Sequence, residues 1–208
     1  MTVPPLPEGY DHTKYVPVDR SDLVITVGFD REGIHIPRFL VRLHYRIRVG
    51  PVEWIPIARM DHNETADTGH DIYTEGLHVD IRHQSTEGAH LEIPHEQLDE
   101  SRGAVIRQCV TYLSTEAEYF IEVYTGERDP DSPPSWSDGG PTRNLISPDL
   151  LEADMSQEPA FPKEDVASLE ELTELLAEAT DTSPEEVERR AAEMEFPPPH
   201  EAAVVNDN

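Results

Sequence analysis

From Phe39 to Val49 the chain reads FLVRLHYRIRV. Phe39, Val41, Leu43, Tyr45, Ile47 and Val49 are apolar, and Arg42, His44, Arg46 and Arg48 fall between them. A period of two predicts a β-strand with one face in the core and a row of cationic or cationisable groups on the other. Gly50-Pro51 predicts a two-residue reversal, with Gly taking a positive φ and Pro fixing the next one. That register sets Arg48 opposite Glu53, Arg46 opposite Ile55, His44 opposite Ile57 and Arg42 opposite Arg59. On the core side it sets Ile47 opposite Trp54, Leu43 opposite Ala58 and Val41 opposite Met60, so apolar residues face apolar ones. Pro56 cannot donate to a ladder and predicts an edge or a bulge at its position.

The flanking segments extend the pattern. LVITVGF at 23–29 predicts a strand, followed by a turn at 30–33. Residues 77–83 alternate Leu77, Val79 and Ile81 with His78, Asp80 and Arg82, and 89–93 predicts a further short strand. Pro94 opens a predicted helix to about Leu113, with Leu98, Val105, Ile106, Cys109 and Leu113 in one stripe that Arg102 and Gly103 interrupt. YFIEVYT at 119–125 predicts a last strand, ended by Gly126. Residues 1–21, with Pro4, Pro5, Pro7 and Pro17, predict an extended arm. The expected fold of 22–126 is α+β: a mostly antiparallel sheet with one packed helix on its apolar face.

Beyond Gly126 the periodicity stops. Residues 127–163 predict a disordered linker rich in Pro, Ser and Asp. Residues 164–197 predict a C-terminal helical pair, and 198–208 a disordered tail. Ser168 with Glu171 forms a capping box ahead of Leu172, Leu175, Leu176 and Ala179. Ser183-Pro184 opens the second helix, with Val187, Ala191 and Met194 as its apolar face. The pair is either an interaction element or a cover folded back over the sheet.

Charge changes the picture. The chain has 43 acidic and 16 basic residues, net -27. Residues 1–126 hold 21 acids and 11 bases, net -10, and 127–208 hold 22 and 5, net -17. Lys14 and Lys163 are the only lysines. Heavy Asp/Glu loading with so little Lys points to a salt-in halophile, where a Debye length of about 3 Å screens self-repulsion. In such salt a local arginine patch counts for more than total charge, so nucleic acid is excluded only weakly as a partner. The lone Cys109 excludes an internal disulfide and a cysteine-based zinc site. There is no run long enough to span a membrane and no leader pattern, so a cytoplasmic protein without membrane contact is expected.

If the 77–83 strand lies beside the hairpin, one sheet face collects Arg42, His44, Arg46, Arg59, Asp61, His78, Asp80 and Arg82. Arg42 opposite Arg59 is a like-charge pair that an anion or carboxylate would relieve. Guanidinium pairs suit phosphate, so Arg42, Arg46, Arg59 and Arg82 are the expected phosphate ligands. His44, Asp61, His78 and Asp80 are the candidate acid–base groups for RNA cleavage. A solvated face of cross-strand ion pairs explains the same residues without a site. Histidines 62, 70, 78, 83, 90 and 95 fall close together, with Asp61, Asp67 and Asp71 near. Their spacing matches no standard ligand pattern, so neither a metal nor another cofactor is expected.

Two resemblances follow. Tyr45-Arg46, then Arg59, Asp61 and Asn63, then Gly69-His70, then His78, all between 36 and 82, resemble the TumE-type toxins of prokaryotic toxin–antitoxin systems. Here His62 splits that family's adjacent Asp-Asn, and its compact histidine cluster is spread out. The whole chain resembles uncharacterised haloarchaeal proteins of a domain-of-unknown-function type. The toxin resemblance implies RNA and an antitoxin-like protein as candidate partners. The competing reading is a non-catalytic interaction or scaffold protein that binds through the helical pair. A third has the acidic tail masking the arginine face.

Overall fold

A computed structural model describes residues 3–47, 53–65, 69–85, 88–130 and 161–205. Seven strands form one antiparallel sheet in sequence order: β1 (His12–Pro17), β2 (Leu23–Phe29), β3 (Arg38–Ile47), β4 (Glu53–Asn63), β5 (Leu77–Ile81), β6 (Ala89–Ile93) and β7 (Ala203–Val205). Between β4 and β5 lies a single turn of helix, α1 (Ile72–Glu75). The longer helices are α2 (Arg102–Thr115), α3 (Ala117–Thr125), α4 (Leu169–Thr180) and α5 (Pro184–Glu193). The α+β class holds, as do the strands predicted at 23–29 and 89–93, while the one predicted at 77–83 ends at Ile81.

One face of the sheet is the core. Ile25, Val27 and Phe29 of β2, Phe39, Val41 and Leu43 of β3, and Leu77, Val79 and Ile81 of β5 are buried together with Val105, Ile106, Cys109 and Leu113 of α2. The helix starts later than predicted. Residues 95–97 form a 3-10 turn, and Ser101 caps α2 by accepting the Ala104 amide. The predicted strand at 119–125 is instead α3. Tyr and Val favour strands, but Tyr119, Phe120, Val123 and Tyr124 also fall at helical spacing, and all four are buried. Packing overrides propensity. Gly126, at φ 79°, closes the helix in the left-handed region and donates to the carbonyls of Glu122 and Val123.

The C-terminal helices pack on α2, and their apolar faces belong to the same core. Leu172, Leu176, Val187 and Ala191 have no exposure, so replacing either leucine by Ala costs about 2–5 kcal/mol. The pair is thus folded back on the core side of the sheet, against α2. Gly103 explains its own break in the α2 stripe: a Cβ there would stand 3.3 Å from the Leu176 carbonyl and from Thr180 Cγ2. Both predicted caps are present, the Ser168–Glu171 box and Ser183 ahead of Pro184.

The β3–β4 register matches the prediction at Val41–Met60, Leu43–Ala58 and Arg42–Arg59. It then slips by one at a bulge beside Leu43 and His44, so that His44 faces Pro56, Arg46 faces Trp54 and Ile47 faces Glu53. A slip of one turns side chains to the opposite face. Trp54 therefore leaves the main core and joins Tyr15 and Val24 in a small cluster on the other side. The Gly50-Pro51 turn and Arg48 lie outside the described residues, as does the predicted linker from 131 to 160.

Candidate functional site

The sheet face away from the helices is divided in two. Over β1 to β3 it is covered. Val3, Leu6, Phe161 and Val166 pack on the Tyr15–Val24–Trp54 cluster. The predicted arm contributes β1 and this cover. Tyr15 donates to the Pro4 carbonyl at 2.7 Å, and the Arg38 guanidinium lies 4.2 Å from the Tyr10 ring centre. Gly28 makes the close approach possible, since a Cβ there would come within 2.9 Å of the Pro7 Cβ.

His44 lies in this covered half and is 2% exposed. Its Nε2 is 3.0 Å from Thr26 Oγ1. Burial, reinforced by the Arg42 charge, pushes its pKa down to about 4. At neutral pH it is an uncharged, enclosed ring. Arg46 is also buried, its guanidinium 5.7 Å from the centre of the Trp54 ring.

From β3 to β5 the face is open. Arg42, Pro56, Ile57, Ala58, Arg59, Asp80, Ile81 and Arg82 line a groove of about 360 Å³. Within it Arg59 has Asp61 Oδ1 at 2.9 Å and Asp80 Oδ2 at 3.4 Å. Asp80 in turn meets His90 Nδ1 at 2.7 Å. Arg42 faces Arg59 across the ladder. Its pKa is lowered, first by burial and then by the Arg59 charge. Among the described residues, neither Arg42 nor Arg82 has a carboxylate within ion-pair distance. In contrast, Arg20, Arg31, Arg38, Arg59, Arg102, Arg107, Arg128, Arg189 and Arg190 each have one.

The eight residues expected on one face are thus sorted. Arg42, Arg59, Asp80 and Arg82 share the groove, and Asp61 braces Arg59. His44 and Arg46 are under the cover. His78 lies apart, its ring 4.5 Å from that of His70, whose Nε2 is 2.7 Å from the Gly76 carbonyl oxygen. The four candidate acid–base groups do not converge on one point. Sequence reasoning counted His90 among the clustered histidines but missed its place beside Asp80, although the 89–93 strand was legible and antiparallel pairing sets the two opposite each other. It also missed Glu64, in the turn after β4, which joins His62 and Asp71 in a group able to hold a metal ion.

The C-terminal helices pack on α2, on the core side of the sheet, away from the groove. Among the described residues no helix is long and apolar enough to cross a membrane. No curated protein and no solved structure matches the chain. A family model does match, over residues 10–130, which takes in β1 to α3 and every groove residue. The match adds neither a lineage nor a toxin activity. On that match the chain belongs to the family described as the domain of unknown function DUF7718.

Proposed function

We propose that the Arg42–Arg59–Arg82 groove binds phosphate groups along an RNA backbone. The observation that carries this reading is Arg42. It is half-buried, faces a second arginine, and has no carboxylate at ion-pair distance among the described residues, in a chain whose acids outnumber its bases by 43 to 16. A guanidinium held away from water interacts strongly with an anion that reaches it, and its fork geometry suits two phosphate oxygens. Arg59, fixed by Asp61 and Asp80, presents a second cation whose position is already set. The groove is open to solvent, which fits a passing backbone better than an enclosed nucleotide. Phosphate contacts carry no sequence information, so binding through them is indifferent to sequence.

This reading is one of binding rather than cleavage. His44 is enclosed and uncharged, and His78 stands apart with His70. The test is fluorescence anisotropy with labelled single-stranded RNA over a range of KCl. Wild type binds saturably. The double variant R42Q/R82Q loses about tenfold or more in affinity, as expected for charge-assisted bonds, and its log–log salt slope falls by about 0.7 for each phosphate that the variant leaves unneutralised. No saturable binding by wild type, or equal binding by the variant, overturns the reading.

A further inference from the structure

The far end of β4 carries a different cluster, on the core side of the sheet. His62 lies in the last residues of β4, Glu64 follows it, and Asp71 caps α1. Glu64 stands in the turn just after the strand, where its Oε2 comes within 3.5 Å of the His62 Nε2. The His62 ring is held between Phe39 and Tyr73, with centroids 5.6 and 6.5 Å away. Its side chain has no solvent exposure.

The Nε2 of this ring is buried without a hydrogen-bond partner among the described residues. Leaving such an atom unsatisfied costs about 1–3 kcal/mol. Glu64 Oε2 lies 3.5 Å from it. That is long for a hydrogen bond, but bonds of roughly 2.1 Å to a tetrahedral zinc ion put neighbouring ligand atoms about 3.4 Å apart. One ligand atom from each of His62, Glu64 and Asp71 lies within 4.8 Å of the other two, so small side-chain rotations close the set.

We propose that His62, Glu64 and Asp71 bind a divalent transition cation of the zinc type, with water at the remaining position. One imidazole with two carboxylates is a donor set for zinc, cobalt or manganese. The surroundings fit the outer part of such a site. His35 holds the other Glu64 oxygen. Asp71 Oδ1 accepts the Tyr73 amide at 3.0 Å, leaving its second oxygen for the ion. Nδ1 accepts the Ile72 amide at a long 3.4 Å in this structure, so metal at Nε2, which places the ring proton on Nδ1, gives up that weak bond. The cation on Glu64 in this structure is Arg102, at 3.1 Å. It sits 4.0 Å from the Tyr73 ring centre and competes with a metal for the same carboxylate.

The competition supplies the test. The full chain, treated with EDTA and dialysed, is titrated with Co²⁺ and Zn²⁺. Cobalt absorption reports coordination, and imidazole ¹⁵N shifts identify which of the ten histidines responds. The expected result is one ion per chain with the His62 Nε2 signal displaced. E64Q and D71N each weaken binding by at least about tenfold, and both keep side chains that preserve the local turn and cap. R102Q strengthens binding, a sign opposite to that of simple structural damage. The proposal fails if wild type shows no saturable site. It fails equally if E64Q and D71N bind like wild type, or if folded R102Q binds more weakly.

Discussion

His44 offers a quantitative check on how the open and covered halves of the sheet are divided. In the folded chain its pKa is about 4, against 6.5 for the ordinary side chain. Above pH 6.5 the ring is neutral in both folded and unfolded chains and adds no pH dependence. As pH falls below 6.5, the unfolded chain takes up a proton that the native chain refuses, so the native state loses stability. At 1.36 kcal/mol per unit the full effect is about 3 kcal/mol below pH 4, and about 2 kcal/mol at pH 5. H44Q removes this difference while keeping a polar side chain beside Thr26. Urea unfolding of wild type and H44Q at pH 7 and pH 5, at fixed salt, isolates it from the many carboxylates common to both. Wild type should lose about 2 kcal/mol more than H44Q over that interval. Equal losses in the two proteins would refute the burial of His44 and reopen it as a solvent-facing acid–base group.

Further expectations concern the packing that frames the groove. G28V forces a side chain against Pro7 and Tyr10 and should free the N-terminal arm, seen as faster proteolysis within residues 3–11; cleavage at the wild-type rate counts against the arm's close packing over Gly28. G103A narrows an approach of 3.3 Å between α2 and α4; despite its higher helix propensity, it should lower Tm. S168A removes a cap that accepts the Glu171 amide at 3.1 Å and should cost about 1 kcal/mol in chemical denaturation.

The sheet was legible because one face is apolar at alternate positions over several strands, and antiparallel pairing turns that alternation into a register. The register failed only where a bulge intervened. Pro56 marked the spot, but not the one-residue slip that moved Trp54 across the sheet. The segment 119–125 misled because aromatic and β-branched residues buried on all sides erase the difference between the two periods. β1 was hidden by a short span ending in Pro17, with no alternation to read. For the site, the sequence found the arginines but treated every even position of β3 as solvated. The cover over the β1 to β3 half of the sheet is built from Trp54, displaced by the bulge, and from Leu6, Phe161 and Val166, which arrive from elsewhere in the chain and which no local pattern encodes. The same holds for Glu64, whose meeting with His62 and Asp71 is set by the turn that joins β4 to α1.

The central claim is that Arg42 takes a phosphate. Its most direct test is the ¹H–¹⁵N signal of the Arg42 side-chain Nε, followed while single-stranded RNA, and separately inorganic phosphate, is added to the full chain. The account predicts a saturable shift of Arg42 with both, larger with RNA, accompanied by Arg82, while buried Arg46 stays in place. RNA binding that leaves the Arg42 signal unmoved would contradict it.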